Sequence, residues 1–166
     1  MRSILVLFSE IKSAKESVDS LLQRGFSLKE MNCIVLDSIA RLNLDINREE
    51  LKAEISPFLG KDVIGGIERL FTGKRPINTA DAGKILTAGE TATIVGTTAE
   101  PQNPGKVNSL KRALVDFGVT AETAQLYTDK VTRGEVLFWI KTLESRAPEA
   151  VNILRDHQGK HIITIP

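Results

Sequence analysis

The sequence predicts an α+β fold in which two βαβ units share one sheet, and three observations predict it. The chain opens on a continuous apolar run, Ile4-Leu5-Val6-Leu7-Phe8, followed by an amphipathic helical stripe and a second apolar run from Met31 to Leu36. It closes on the same plan, with Val136 to Ile140, a stripe through Ala147, Ala150, Val151 and Leu154, and then His161 to Ile165. The two ends also form a weak internal repeat. A shift of 133 residues superposes Ala14, Glu16, Val18 and Leu21 on Ala147, Glu149, Val151 and Leu154, although Phe8 then meets Lys141. Two such units with one-sided helices are the halves of a ferredoxin-like α+β sandwich, whose sheet carries both helices on one face. Strands that are apolar at successive positions bury both sides, so the opposite face also needs a cover, from the middle of the chain or from a second subunit.

Each element follows from local signals. Residues 4 to 8 read as a central strand leading into a helix over Ile11, Ala14, Val18, Leu21 and Leu22, which Gly25 ends. Met31 to Leu36 is the second strand, closed by Asp37. Within the middle, Asn47 and Glu50 make a capping-box-like start for a helix through Leu51, Ile55, Phe58 and Leu59, which Gly60 stops. A short helix over Val63 to Phe71 is weakened by Gly65 and Gly66, and Thr72 to Asp81 reads as loop. Ile85-Leu86 and Thr91 to Val95 fit strand by β-branched content or helix by alanine content. Thr97 to Lys106 carries two prolines and Gly105, a loop before a helix at Asn108 to Phe117. Gly118 closes that helix in a left-handed residue, Thr120 caps the next, and Glu122 falls in its first turn. Ala124, Tyr127 and Val131 continue the stripe until Gly134 stops it before the strand at 136 to 140. The resulting organisation is one domain, 1–166, with a first half at 1–37, a mostly helical insertion at 38–132 and a second half at 133–166.

Composition excludes several classes. At 166 residues the chain suits one domain, and a domain of that size buries about 70% of its unfolded surface. Its 22 Lys and Arg against 21 Asp and Glu leave a net charge of +1, so there is no large field to gather nucleic acid or an anionic membrane. One cysteine excludes an internal disulfide framework, and the five-residue apolar run at the amino terminus is too short for a signal-peptide core, so a cytoplasmic protein is expected. No window approaches the 18 or so apolar residues of a membrane span.

In the residues Gly118-Val119, Glu122, Ala124, Tyr127 and Val131, then Gly134 and Leu137, the chain resembles the bacterial general-stress-protein domain, also called the heat-induced stress protein domain. The resemblance extends to Leu5-Val6-Leu7-Phe8, Gly25-Phe26 and Met31 to Leu36 at one end and to Ala147 to Leu154 at the other. It implies a ferredoxin-like half on each side of a central insertion, and a protein associated with stress responses whose biochemical activity is not established. The family's central segment is often glycine- and alanine-rich and apolar, suggestive of membrane contact. Here only Gly83 to Gly96 is similar, with Glu90 where proline is usual and charged surroundings, so no membrane role is expected.

Candidate chemistry is sparse. Cys33, the only thiol, sits inside an apolar strand run and reads as core. His157 and His161 are four apart beside Asp156, but Gly159 ends the helix between them and no third ligand is near, so no metal site is expected. Gly66, Gly73 and Lys74 have the wrong spacing for a phosphate loop, with Arg75 where a hydroxyl is required. Lys74, Arg75 and Lys84 remain as cations for an anion contact. Phe138 and Trp139 stand on a predicted strand, but adjacent positions face opposite sides and no RNP pattern surrounds them, which argues against an RNA platform. One ring then belongs under the helices, and the other, assigned to Trp139, at a domain or subunit contact. Tyr127 reads as a helix anchor with its hydroxyl at the surface. No catalytic residue and no cofactor is predicted. The sequence reading is a non-enzymatic domain that acts as a homo-oligomer, a dimer favoured, or through a protein partner; the alternatives are a sensor for a small anionic metabolite and an enzyme of unknown reaction.

Overall fold

The computed structural model describes residues 1–44, 65–72, 74–89 and 109–166. Expectations for the helix from Asn47 to Gly60, for 91–95 and for the loop at 97–106 lie outside these residues. The described residues form β1 (Arg2–Phe8), α1 (Ile11–Gln23), β2 (Met31–Leu36), α2 (Asp37–Asn43), α3 (Gly66–Phe71), β3 (Ile77–Thr79), β4 (Gly83–Ala88), α4 (Leu110–Phe117), α5 (Ala121–Thr132), β5 (Val136–Thr142), α6 (Ala147–Asp156) and β6 (Lys160–Ile165). The six strands make one antiparallel sheet in the order β3-β4-β2-β5-β1-β6.

Both faces of this sheet are buried, as the unbroken apolar runs require. On one face Ile4, Val6, Phe8, Met31, Cys33, Val35, Phe138 and Ile140 pack with Ala14, Val18 and Leu21 of α1, Ile67 and Phe71 of α3, and Ala150 and Leu154 of α6. On the other, Leu5, Leu7, Ile34, Leu137 and Trp139 pack with Leu110, Ala113 and Leu114 of α4 and Ala124, Tyr127 and Val131 of α5. Of the two sources open for the second cover, the chain's own middle supplies it. Each large apolar side chain removed from water in this way contributes about 1.5–3 kcal/mol.

Local chemistry sets the joints. Gly118 ends α4 at φ +118°, and Val119 N–H returns to the Leu114 carbonyl at 3.0 Å, the left-handed closure expected from sequence. Thr120 Oγ1 then accepts the Thr123 N–H and starts α5. These two joints fold α4 back on α5 so that both lie on the same face of the sheet.

Two elements, β3 and α2, depart from the sequence reading, and β4 decides a choice it left open. β3 lies inside the stretch read as loop; Ile77, Asn78 and Thr79 gain strand geometry by pairing with Ile85, Lys84 and Gly83 of β4, a partner that local pattern does not reveal. β4 itself settles the ambiguous Ile85-Leu86 as strand, because β2 pairs it along Cys33 to Leu36. α2 begins directly at Asp37, where a strand end was expected, and its first turn is held by the Asp37 carboxylate receiving Arg41 Nε at 2.8 Å. The short helix expected from Val63 begins, among the described residues, at Gly66.

Candidate functional site

The described sheet has two edges, β3 and β6, and β6 is the longer. α6 is laid across β1 by Ala147, Ala150 and Leu154, with Pro148 in its first turn. The chain then reverses through Gln158, at φ +68°, and Gly159, whose N–H returns to the Leu154 carbonyl at 2.9 Å. The sequence places the helix stop at Gly159; the left-handed residue is Gln158, and glycine is needed next to it because a Cβ there would lie 2.5 Å from Val6 Cγ2 and 2.7 Å from the Leu154 oxygen. β6 returns antiparallel to β1, and among the described residues its outer edge pairs with no strand.

Side chains along β6 are only half covered. Ile162 leans on the first core and Ile163 and Ile165 on the second, all partly buried, while His161 and Thr164 are exposed. Beside the strand, Ala147, Pro148 and Val151 of α6 with Arg155 and Thr164 bound a shallow depression of about 440 Å³. The Arg2–Glu144 ion pair, at 2.7 Å, forms its rim, and the guanidinium beside Glu144 holds that carboxyl below its usual range. An apolar floor with a charged rim next to an open strand edge is an arrangement suited to polypeptide contact.

One anchor of this edge was not foreseen. Tyr127, expected to send its hydroxyl to the surface, is fully buried, and its Oη donates to the His161 carbonyl at 2.6 Å. Burial pushes the phenol pKa up, so the group stays a donor. His161 itself has φ +51°, at a point where the β1–β6 register shifts.

Trp139 is 1% exposed and lies on the second face, its ring 5.3 Å from that of Phe117. A partner would therefore meet the helices above the indole, not the ring. Phe138 faces the first core 6.3 Å from Phe8, so the two adjacent aromatics do point to opposite faces. Of the three cations, Lys74 and Arg75 precede β3 and Lys84 is in β4. Lys84 pairs across from Asn78, whereas Arg75 lies three residues before Asn78, a separation of about 10 Å in extended chain. Cys33 is fully buried and burial raises its thiol pKa, which removes thiolate chemistry.

A second groove, about 240 Å³, lies where α1 begins and α6 ends, lined by Glu10, Lys12, Glu16, Asp156 and His157 among others. His157 Nε2 is 2.9 Å from Ser20 Oγ, and Nδ1 is 3.9 Å from Glu16. This resembles a nucleophile with its base, but Ser20 sits inside α1 and does not line the groove, and the N–H groups of His157, Gln158 and Gly159 are all engaged by α6 carbonyls. The contact joins α1 to α6 and supplies no oxyanion donors. His161 lies on β6 away from it, and among the described residues no group of three or more His, Cys, Asp or Glu is placed to hold a metal ion. Nor is any described helix long and apolar enough to cross a membrane.

Comparison with protein-family models, with curated proteins and with solved structures finds no match for this chain.

Proposed function

We propose that the chain is a non-enzymatic, stress-associated cytoplasmic module that acts by self-association, as a dimer, or by binding a protein partner along the β6 edge. The strand order β6-β1-β5-β2, with α1 and α6 on one face, supports a ferredoxin-like core to which β4 and β3 are added beyond β2. The resemblance to the general-stress-protein domain, carried by Gly118, Glu122, Tyr127 and Gly134, supports the association with stress.

The observation that carries the contact is β6 itself: a six-residue strand that among the described residues is paired on one side only, by β1, bearing three half-buried isoleucines, beside the α6 depression. An added strand would take its main-chain hydrogen bonds from this edge and could set a side chain over Val151 and Thr164. Stable interfaces bury about 1,200–2,000 Å², more than one short strand supplies, so the depression must take part in the same contact.

Sedimentation of the whole chain over a wide concentration range tests this. Self-association should be present in the wild type and weakened in Thr164→Lys, which charges an exposed position of the edge, and in Val151→Glu, which charges the depression. A concentration-dependent mass unchanged in both variants would remove β6 as the contact.

A further inference from the structure

The edge of β6 is not regular. Leu5 faces Ile163 but Leu7 faces Lys160, so β6 spends one more residue than β1 over the same span, a bulge at His161 and Ile162. His161 takes up the extra residue at φ +51°, a left-handed conformation that non-glycine residues rarely adopt. The Tyr127 hydroxyl donates to the carbonyl of that residue at 2.6 Å, from α5 on the second face. Tyr127 cannot swing away, because its ring is fully buried between α5 and the sheet.

We propose that the Tyr127 hydroxyl is a latch that holds the bulge at His161, and that the bulge limits how much of β6 a partner strand can use. This rests on the reading of β6 as the contact edge. With the latch closed, the ladder to β1 is regular only from Ile163 to Ile165, and Pro166 follows with no N–H to offer. Without the bulge Leu7 would face His161 in place of Lys160, the Lys160 Nζ to Ser9 Oγ bond of 3.0 Å would be lost, and the straight edge would lengthen toward Lys160. A short bulged edge is a standard protection against uncontrolled pairing; here the protection is tied to one hydroxyl on another element. The partner is a second copy of this chain, which would present a short extended segment to Ile162–Ile165. Tyr127 is a positioning residue that does not touch that partner.

Hydrogen exchange and sedimentation on the whole chain test the latch in wild type, Tyr127→Phe and His161→Gly. Tyr127→Phe should raise exchange at Lys160–Ile162 by about tenfold or more, leave Phe138–Ile140 within about threefold, and strengthen self-association. His161→Gly keeps the carbonyl and accepts the left-handed angle freely, so it should raise the melting temperature and leave the exchange pattern as in wild type. An even rise in exchange over β1, β5 and β6 in Tyr127→Phe, or no rise at Lys160–Ile162, overturns the latch. A lower melting temperature for His161→Gly overturns the assigned left-handed bulge. A wild type and Tyr127→Phe both monomeric at every concentration, with the local exchange change present, would sink the β6 contact reading and the link between latch and pairing, and would do so separately from the exchange result.

Discussion

Asp81 offers the sharpest test of how this fold is held together, because it sits between β3 and β4 yet closes a helix 29 residues further on. Its Oδ1 accepts the Leu110 N–H and its Oδ2 the Lys111 N–H, both at 2.9 Å, and Ser109 Oγ donates to Oδ2 at 2.9 Å. Asp81→Ala removes all three while Ser109 Oγ still accepts the Arg112 N–H. Hydrogen bonds to a buried charge are worth about 1.5–3 kcal/mol each, but Asp81 is exposed and water replaces much of that. The measured range for deleting a helix cap is the better scale; with the helix-dipole contribution it gives about 2 kcal/mol. For a chain of this length that is a fall in Tm of roughly 4–8 °C. Asp81→Asn keeps one acceptor and should lose about half as much.

The pH dependence supplies an independent check. Burial pushes the Asp81 carboxyl up, but the bonds from Lys111, Leu110 and Ser109 outweigh it and hold the carboxyl below its usual value. A group depressed in the folded state adds stability above its unfolded value, about 3.9 for Asp, and loses it as pH falls through the folded value. The gap between wild type and Asp81→Asn should thus be full at pH 7 and close progressively below about pH 4. Urea unfolding followed by circular dichroism, repeated across pH, reads both quantities. A loss under about 0.5 kcal/mol for Asp81→Ala at pH 7, or a gap that does not narrow in acid, would refute the reasoning.

Two further outcomes follow from the cores. Trp139→Ala removes the largest fully buried side chain and its contact with Phe117, and should destabilise the chain by about 3–5 kcal/mol in urea unfolding followed by circular dichroism, the only tryptophan being gone; a loss under about 1 kcal/mol would mean the second face is not packed as described. Glu68 is buried with Oε1 2.7 Å from Lys15 Nζ, and among the described residues its Oε2 has no hydrogen-bond partner. Lys15→Ala leaves that carboxylate uncompensated and should lose about 1–2 kcal/mol, discounted for the half-exposed lysine, with most of it restored in the double variant with Glu68→Gln. The hydrogen bond to Glu68 raises the Lys15 pKa against the opposing effect of burial, so this contribution is complete below the unfolded value of about 10.4 and lost as pH rises through the folded one. Stability curves taken above pH 9 should be flatter in Glu68→Gln than in wild type, and parallel curves would remove the coupling.

What the sequence disclosed were features decided within a few residues of chain. The apolar runs that became β1, β2 and β5, the left-handed Gly118, the Thr120 cap and the stripe of α5 all carry their reasons locally. β3 was hidden because three residues become a strand only when β4 pairs with them, and α2 because it starts on Asp37 with no side-chain cap. Asp81 closes a stretch whose local pattern reads as loop; its role depends on amides 29 and 30 residues away. The candidate edge was legible in part. His161 to Ile165 was foreseen as a strand, but a histidine at φ +51° has no signature in composition, and a tyrosine on an apolar stripe does not announce where its hydroxyl ends. The open choice for the second face turned on whether α4 and α5 would fold back, which the sequence supplies through Gly118 and Thr120 but whose destination only the packed structure displays.

The place of β1 in the sheet has a consequence for how the molecule is made. Its neighbours are β5 and β6, the last two strands of the chain: Leu5 waits for Trp139 and Ile163. During synthesis the apolar segment Ile4 to Phe8 is made more than a hundred residues before either strand it pairs with, on the order of 10 s at ribosomal speeds. By contrast β2, β4 and β3, which pair with one another in the folded sheet, are all made before β5. β5 lies between β1 and β2 and is the strand that joins the two parts of the sheet, so loss of the final quarter of this sequence would leave β1 without either of its neighbours.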